Sequence, residues 1–280
     1  MRIFNFDEQL IPLDQWVQHG VDWLVLNYRH IFQLLKVPIE FSLNGLEWFF
    51  NTLPPVVIIL IFAVAAWRFA GKRITVFTVL TFLLVGYLGL WDETMTTLAM
   101  VISSVFFCAL VGIPLGIMSG RSDRFEMYLR PCLDAMQTTP AFVYLVPVVM
   151  LFSIGTVSGI LATIVFSLPP IIRLTSLGIR QVHPELIEAA LAFGATSGQV
   201  LRKVQFPLAL PSIMAGLNQT LMMALSMVVI AALIGAGGLG NPVVQGLNTL
   251  EIGLATIGGL SIVLLAMVLD RITQGFAKKS

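Results

Sequence analysis

Charged side chains are scarce in this chain of 280 residues. Asp, Glu, Lys and Arg together make up 11% of the sequence, whereas hydrophobic residues make up 57%. A soluble globular domain carries roughly a quarter of charged residues, so the scarcity excludes an ordinary soluble domain and indicates a membrane protein. The formal net charge is only +1 and no long basic run is present, which gives no indication of a nucleic-acid partner.

The sequence also lacks the patterns of several catalytic classes. Its three histidines, His19, His30 and His183, are scattered, and no cluster has the spacing of metal ligands. The phosphate-binding motif G-x-x-x-x-G-K-[ST] is missing. Only two cysteines are present, Cys108 and Cys132, and a structural disulfide is not expected on the cytoplasmic side of a membrane. We therefore expect no catalytic residue, no metal and no cofactor bound by this chain.

Long apolar runs are abundant. A helix needs about 20 apolar residues to cross the hydrocarbon core of a bilayer. Seven runs approach or reach this length without containing Asp, Glu, Lys or Arg, and they cover roughly residues 53–67, 74–90, 94–118, 137–154, 157–172, 213–234 and 252–269. The sequence therefore predicts an all-α, polytopic membrane protein with about seven transmembrane helices.

Basic residues in the connections predict the orientation, because cytoplasmic loops retain Lys and Arg. The connections that follow the first, third, fifth and seventh runs carry such residues: Arg68, Lys72, Arg73, Arg121, Arg124, Arg130, Arg173, Arg180, Arg202, Lys203, Arg271, Lys278 and Lys279. The alternate connections, 91–93, 155–156 and 235–251, carry none. The pattern predicts that the N-terminus lies outside the cell and the C-terminus inside.

The first 52 residues are predicted to form an extracytoplasmic amphipathic segment. Over residues 13–36, aromatic and aliphatic side chains such as Trp23 share one helical face, and polar ones such as Asp22 share the other. Such a helix would lie along the outer membrane surface with its Trp and Tyr side chains at headgroup level. We expect Pro38 to end it. Both a scaffolding and a regulatory role remain open for this segment.

A polar stretch, ELIEAALAFGATSGQVLRKVQFPLALP, follows the fifth run on the predicted cytoplasmic side. Pro184 suits the first turn of a helix, and Gly194 suits the left-handed residue that ends one. Residues 184–193 are therefore predicted to form one short helix. The spacing of Thr196 and Gln199 is that of a capping box.

A second short helix is therefore predicted over residues 196–204, and Pro207 is expected to stop it. The two helices and the tight turn between them would form a rigid helical hairpin on the inner face of the membrane.

This hairpin resembles the EAA motif of ABC-importer permeases, E-A-A-x3-G-x9-I-x-L-P. The matching residues are Glu188, Ala189, Ala190 and Gly194, with Val204 in place of Ile and Phe206-Pro207 in place of Leu-Pro. The stretches DAMQTTPAFVYLVPVVMLF, LPPIIRLTSLGI, IMAGLNQTLMMALSMVVIA and GGLG extend the likeness. Nearly the whole chain is similar to the permease subunit of the glycine betaine/proline betaine ABC importers, which serve osmoprotection.

The resemblance implies a type I ABC importer permease fold over residues 53–280, with a cytoplasmic coupling loop at 178–211. It implies a homodimer in lipid, two cytoplasmic ATPase subunits that use ATP and Mg, and an extracytoplasmic substrate-binding protein. It also implies that residues 196–204 are the coupling helix seated in a groove of the ATPase. The ATPase-coupling residues would be Glu188, Ala189, Ala190, Gly194, Thr196, Gln199, Val204 and Pro207.

Polar and aromatic residues inside two of the apolar runs are candidates for the lining of the translocation path. Polar side chains within spans are costly and tend to face the bundle interior. The candidates are Gln137, Thr138, Thr139, Phe142 and Tyr144 in the fourth run, and Asn218, Met222 and Ser226 in the sixth. The alternative, that such side chains only bond neighbouring helices, is equally open.

Other transport functions fit less well. A permease for choline, carnitine or an amino acid would have a similar sequence, so the solute stays open within this group. An ion-coupled secondary transporter usually needs an ionisable residue near mid-membrane, and the seven runs contain no Asp, Glu, Lys or Arg.

Overall fold

The structure is a computed structural model that describes residues 12–277. Within that range every regular element is helical, so the all-α prediction is confirmed. The helices are α1 Leu13–Thr52, α2 Pro55–Phe69, α3 Lys72–Tyr87, α4 Trp91–Arg121, α5 Asp123–Thr138, α6 Ala141–Phe152, α7 Thr156–Arg180, α8 Pro184–Ala192, α9 Ser197–Val200, α10 Phe206–Ala232, α11 Gly240–Thr249 and α12 Ile252–Ala277, with a π-helical segment Leu201–Gln205 between α9 and α10.

Four helical stretches are long and apolar enough to cross a membrane: α4, α7, the continuous run Ser197–Ala232, and α12. Two bent pairs meet the same requirement of length and apolar character only when each pair is taken together, His30–Thr52 with α2 at 108° and α5 with α6 at 100°. The described residues thus offer four spans by length and composition, or up to six. The number seven is not reproduced, because α2 and α3 have only 15 and 16 residues, about 24 Å of helix against a hydrocarbon core of about 30 Å.

Small residues let the central helices α4, α7 and α10 approach closely. Gly112, Gly116 and Gly120 recur every fourth residue on the face of α4 that meets α7, and a Cβ on Gly116 would lie 2.5 Å from the Cβ of Thr175. On the other side of α7, a Cβ on Gly178 would lie 2.8 Å from the Cβ of Ser212 on α10. Close backbone approach is how helices associate where lipid weakens the hydrophobic driving force.

Helix α1 continues beyond Pro38, so the prediction that this proline ends it is wrong. Pro38 lies on the exposed side, where a carbonyl left without its usual N–H partner can be solvated. After it, Ile39, Leu43 and Phe50 are buried, in a helix that packs on α4, α6 and α7. That burial favours continuation of the helix. Residues 1–11 of the predicted amphipathic segment lie outside the described residues.

The fourth predicted span is broken, which corrects the prediction of one helix over residues 137–154. Thr139 has an extended backbone with φ −71° and ψ 126°, as expected for a residue before proline. The chain bends by 100° between α5 and α6. Gln137 and Thr138 therefore end α5, and the 12 residues of α6 are too few to cross a bilayer alone.

A glycine-rich turn between α10 and α11 packs closely against the first turns of α4 and is hydrogen-bonded to them. Gly238 has φ +70°, and a Cβ there would lie 2.5 Å from the Oγ1 of Thr97. The backbone N–H of Leu239 donates to that same Oγ1 at 2.8 Å. One end of the bundle is thereby fixed around α4, α10 and α11, opposite the end that carries α8 and α9.

Candidate coupling site and translocation path

The first arm of the hairpin is α8, and its predicted boundaries are confirmed to within one residue. Pro184 begins it and Gly194 follows it with φ +83°. Two backbone bonds close the turn: Gly194 N–H to the Leu191 carbonyl at 2.9 Å, and Ala195 N–H to the Ala190 carbonyl at 3.0 Å. This pair of bonds is the Schellman motif, which needs a left-handed residue where this chain has glycine.

The second arm begins with the capping box that the sequence predicts. The Thr196 N–H donates to Gln199 Oε1 at 2.8 Å, and the Gln199 N–H donates to Thr196 Oγ1 at 3.4 Å. Reciprocal bonds of this kind satisfy two of the free N–H groups at a helix start. The backbone at both ends of the turn is therefore fixed.

The expectation that Pro207 stops the second arm is wrong. Helix α9 passes through the π-helical segment directly into α10, and Pro207 lies in the first turn of α10. The Phe206 N–H donates to the Leu201 carbonyl, one residue farther back than in an α-helix. A widened turn just before Pro207 lets the chain tolerate a residue without an N–H. The second arm is thus rigidly continuous with a membrane helix.

One face of the hairpin is tied to the C-terminal ends of α4 and α7. Arg121 of α4 donates to the hydroxyl of Ser197, the first residue of α9. Glu188 lines a cavity of about 370 Å³ whose other lining residues include Gly120, Arg180 and Gln205. Glu188 and Arg180 therefore border the same cavity, between α8 and the ends of α4 and α7.

Ion pairs hold α5 against α7 next to the hairpin. Arg180 reaches Asp123 at 2.6 Å and Glu126 at 2.7 Å, and Arg173 pairs with Asp134. Arg180 also donates to the carbonyl of Ser119 on α4 at 2.8 Å. Two of the basic residues used for orientation, Arg173 and Arg180, thus meet carboxylates of α5 near the hairpin.

The opposite face of the hairpin is an open notch between its two arms. It is a cavity of about 390 Å³ lined by Ala190, Phe193, Gly194, Ala195, Gln199, Val200, Lys203 and Val204. Four residues predicted for coupling, Ala190, Gly194, Gln199 and Val204, therefore lie together here. Ala189, Thr196 and Pro207 are exposed outside the lining set. The sequence did not predict the notch, because it depends on residues 14 positions apart.

The path candidates on α5 and α6 divide into two groups. Gln137, Thr138 and Phe142 are exposed in the single chain. Thr139 instead donates to the Ala135 carbonyl at 2.7 Å, and the Tyr144 hydroxyl reaches back across the bend to the Met136 carbonyl. The Thr139 bond lies within the last turn of α5, and the Tyr144 bond spans the break between α5 and α6.

On α10, Asn218 is engaged with α12. Its amide donates to Asp270 Oδ1 at 2.9 Å, its carbonyl oxygen accepts from Thr273, and Gln274 also donates to Asp270 at 2.7 Å. This is the helix-bonding alternative that the sequence left open. The sequence analysis missed Asp270 because the apolar run ends at residue 269. The helical spacing of positions 270, 273 and 274 could have indicated a shared polar face just beyond that run.

Met222 and Ser226 follow Asn218 at intervals of four residues along α10. Both are exposed in the single chain, whereas Asn218 is half-buried and bonded to α12. Among residues 12–277, no three His, Cys, Asp or Glu side chains are grouped as they would be around a metal ion.

Comparisons with known proteins agree with this architecture. Residues 112–280 match the family described as "Binding-protein-dependent transport system inner membrane component". The chain is 53% identical over 275 residues to the glycine betaine/proline betaine transport system permease protein ProW of Escherichia coli K12, covering 98% of this chain and 78% of the relative.

Two further relatives are matched by this chain over almost their whole length. The glycine betaine transport system permease protein OpuAB of Bacillus subtilis is 44% identical, over 96% of this chain and 95% of the relative. The glycine betaine/carnitine transport permease protein GbuB of Listeria monocytogenes is 42% identical, over 96% and 97%. Among solved structures, an inward-facing MetNI methionine ABC transporter chain superposes with a TM-score of 0.55 at 28% identity, over 65% of this chain and 90% of that one. The chain therefore belongs to the family of binding-protein-dependent transport system inner membrane components.

Proposed function

We propose that this chain is the permease subunit of an ABC importer that takes up glycine betaine and proline betaine as compatible solutes. The observation that carries the proposal is the 53% identity to a permease of that printed specificity across 98% of the chain. Choline, carnitine or an amino acid is the alternative cargo within the same mechanism. Glycine betaine, proline betaine and carnitine are all quaternary ammonium zwitterions, which aromatic faces can hold without a carboxylate.

The working transporter in this proposal is a homodimer of the chain with two ATPase subunits and a substrate-binding protein. ATP and Mg are used by the ATPase, so this chain supplies the path and the coupling surface. The proposed orientation has the N-terminus outside, the C-terminus inside, and α2 and α3 each crossing as part of about seven spans. The grouping of Arg121, Arg173 and Arg180 beside the hairpin supports a cytoplasmic position for it.

Coupling in this proposal passes through the hairpin as a rigid body. The Schellman turn at Gly194 and the capping box at Thr196 fix its shape. Its second arm continues into α10 without a flexible link. A displacement imposed by the ATPase would therefore reach the membrane helices with little loss.

Reconstitution tests the proposed function. Proteoliposomes that contain the chain, its ATPase and its binding protein should accumulate labelled glycine betaine only with MgATP on the ATPase side. Unlabelled proline betaine, carnitine and choline rank the cargo by competition. Ionophores that collapse proton and sodium gradients should leave uptake unchanged. Uptake that needs no ATP and stops with ionophores would instead identify an ion-coupled secondary transporter.

A substitution at Gly194 tests the coupling role. A Cβ at this position meets nothing within 4 Å, so the folding cost is the left-handed backbone alone, about 1 kcal/mol. Gly194→Asp places a carboxylate in the ATPase interface at the negative end of α8. We expect loss of uptake and of solute-stimulated ATP hydrolysis at normal membrane levels.

Gly194→Asn is the matched control, because asparagine has the same shape, no charge and a tolerance for left-handed backbone. It should retain coupled uptake. Wild-type uptake in both variants would remove Gly194 from the coupling surface.

A further inference from the structure

The lining of the notch between the two arms of the hairpin combines small and aliphatic side chains with polar ones. Ala190, Val200 and Val204 are small or aliphatic, Phe193 is aromatic, Gln199 is polar, and Lys203 is the one charged residue of the lining. Phe193 is 93% exposed, the highest value among the exposed large hydrophobic residues of the described chain. An aromatic side chain in water beside a concave surface is a typical anchor for a protein partner.

The notch is preformed. Its closed end is held by the backbone bonds of the Schellman turn and by the capping box. Its second wall is held by the burial of Val200, which is 4% exposed, and by the bond from Arg121 to Ser197. A cavity whose walls do not have to order themselves on binding loses little entropy when it is filled.

The charges of the hairpin are divided between its faces. At about 100° per residue, Leu186, Ala190 and Phe193 share one side of α8, Glu188 lies on the opposite side, and Glu185 lies on a flank between the two. Neither acidic side chain lines the notch, while Lys203 lines it and the neighbouring Arg202 is exposed. A complementary surface would place a carboxylate beside an apolar side chain.

We propose that this notch is a socket that receives one apolar side chain of the ATPase subunit, flanked by an acidic residue that pairs with Lys203. The inference rests on the proposed function and adds a reciprocal contact to it. The hairpin enters a groove of the ATPase, and the ATPase in turn fills the socket of the hairpin. Such interlocking resists rotation of the hairpin within the groove.

The first test fills the socket with a larger side chain. Ala190→Leu adds three carbon atoms to a residue that lines the notch. Ala192→Leu makes the same change at an exposed residue of the same helix that does not line the notch. Binding of fluorescent ATPase to the detergent-purified permease is measured for both. Ala190→Leu should raise the Kd by about tenfold, and Ala192→Leu should change it by no more than about twofold.

The second test reverses the charge of Lys203. Lys203→Glu should raise the Kd by about tenfold by meeting a like charge, whereas Arg202→Glu, outside the lining set, should stay within about threefold. Lys203→Arg should restore binding, because the cationic charge is kept. Equal losses for Lys203→Glu and Arg202→Glu would show a general charge effect and overturn the socket.

Folding and the parent proposal are checked separately. Thermal unfolding of each purified permease variant without the ATPase must match the wild type, so that a weaker complex reports the interface. If the wild-type chain binds no ATPase, the proposed function fails. If the wild type binds the ATPase and transports solute while Ala190→Leu and Ala192→Leu have the same Kd, the proposed importer function is retained and the socket proposal is wrong.

Discussion

At the residue scale, Asn218 separates two interpretations of the same polar side chain. The sequence makes it a candidate for the translocation path, yet its amide donates to Asp270 and its oxygen accepts from Thr273. A side chain with both ends bonded to a neighbouring helix has little left to offer a solute. Its contribution is then expected in the stability of the α10–α12 contact and not in solute affinity.

We predict that Asn218→Ala lowers stability without changing KM for the solute. The change removes one of the two amide donors on Asp270, and a poorly paired, half-buried carboxylate costs about 1–3 kcal/mol. Thermal unfolding in detergent and uptake kinetics measure the two effects. Ser226→Ala is the control, since that exposed hydroxyl bonds only its own helix, and its stability should not change. If Asn218→Ala changed the KM for the solute and left the stability unchanged, Asn218 would line the translocation path after all.

At the element scale, the glycines of α4 set how closely it packs on α7. A Cβ on Gly116 would lie 2.5 Å from the Cβ of Thr175 and 2.8 Å from the backbone carbonyl oxygen of Ile172. A backbone atom cannot turn aside as a long side chain can. The spacing of the two helices therefore depends on the missing side chain.

We predict that Gly116→Ala destabilises the protein by about 1–3 kcal/mol through overpacking. A Cβ on Gly259, within α12, would meet nothing within 4 Å, so Gly259→Ala should be neutral or stabilise by about 0.5–1 kcal/mol. Unfolding midpoints of the two variants in the same detergent provide the comparison. Equal midpoints, or a less stable Gly259→Ala, would contradict the packing argument.

The sequence predicted helix ends well where the signal is local. Pro184, Gly194 and the Thr196–Gln199 pair each act within one or two turns, and the structure has them in the expected roles. Prolines were harder to interpret, because their effect depends on what the following residues bury. Pro140 lies at a real break, the helix runs through Pro38, and Pro207 lies in the first turn of α10.

The candidate site shows the same division. The residues predicted for coupling were placed on one hairpin by the spacing of one motif. The notch could not be predicted, since Ala190 and Val204 line one cavity only after the two arms have folded together. The Asp270 partner of Asn218 was missed because α12 continues past the first charged residue that follows its apolar run. Contacts between distant elements carry no signal in a single sequence.

At the scale of the whole molecule, one face of α10 is left without a neighbour in the single chain. Ala215, Gln219, Met222 and Ser226 recur at helical spacing and are all exposed. Most of the remaining surface of α10 packs on α4, α7, α11 and α12. In the proposed homodimer this face either meets the second copy or borders the path between the two copies.

We predict that cysteine at one or more of positions Gln219, Met222 and Ser226 forms a disulfide between two copies on oxidation. The substitutions are made in a Cys108→Ala, Cys132→Ser background, because both native thiols are free. A dimer band that reducing agent removes is the expected readout. Thr220→Cys is the control, since this position is fully buried. Cross-linking at none of the three exposed positions would show that this face does not lie against the second copy.

The π-helical segment Leu201–Gln205 joins the hairpin to α10 through a turn that holds one residue more than an α turn. A residue removed from an ordinary α-helix turns everything beyond it by about 100°, whereas the widened turn takes up its extra residue and largely keeps the phase. Deletion of one residue within 201–205 should therefore restore α-helical bonding and leave the hairpin facing nearly the same way. The same deletion farther along α10 has no widened turn to remove and should swing the hairpin by about 100° around the axis of α10. The direction in which the hairpin is presented thus depends on where along this helix the chain changes length, independently of any side chain that touches a partner.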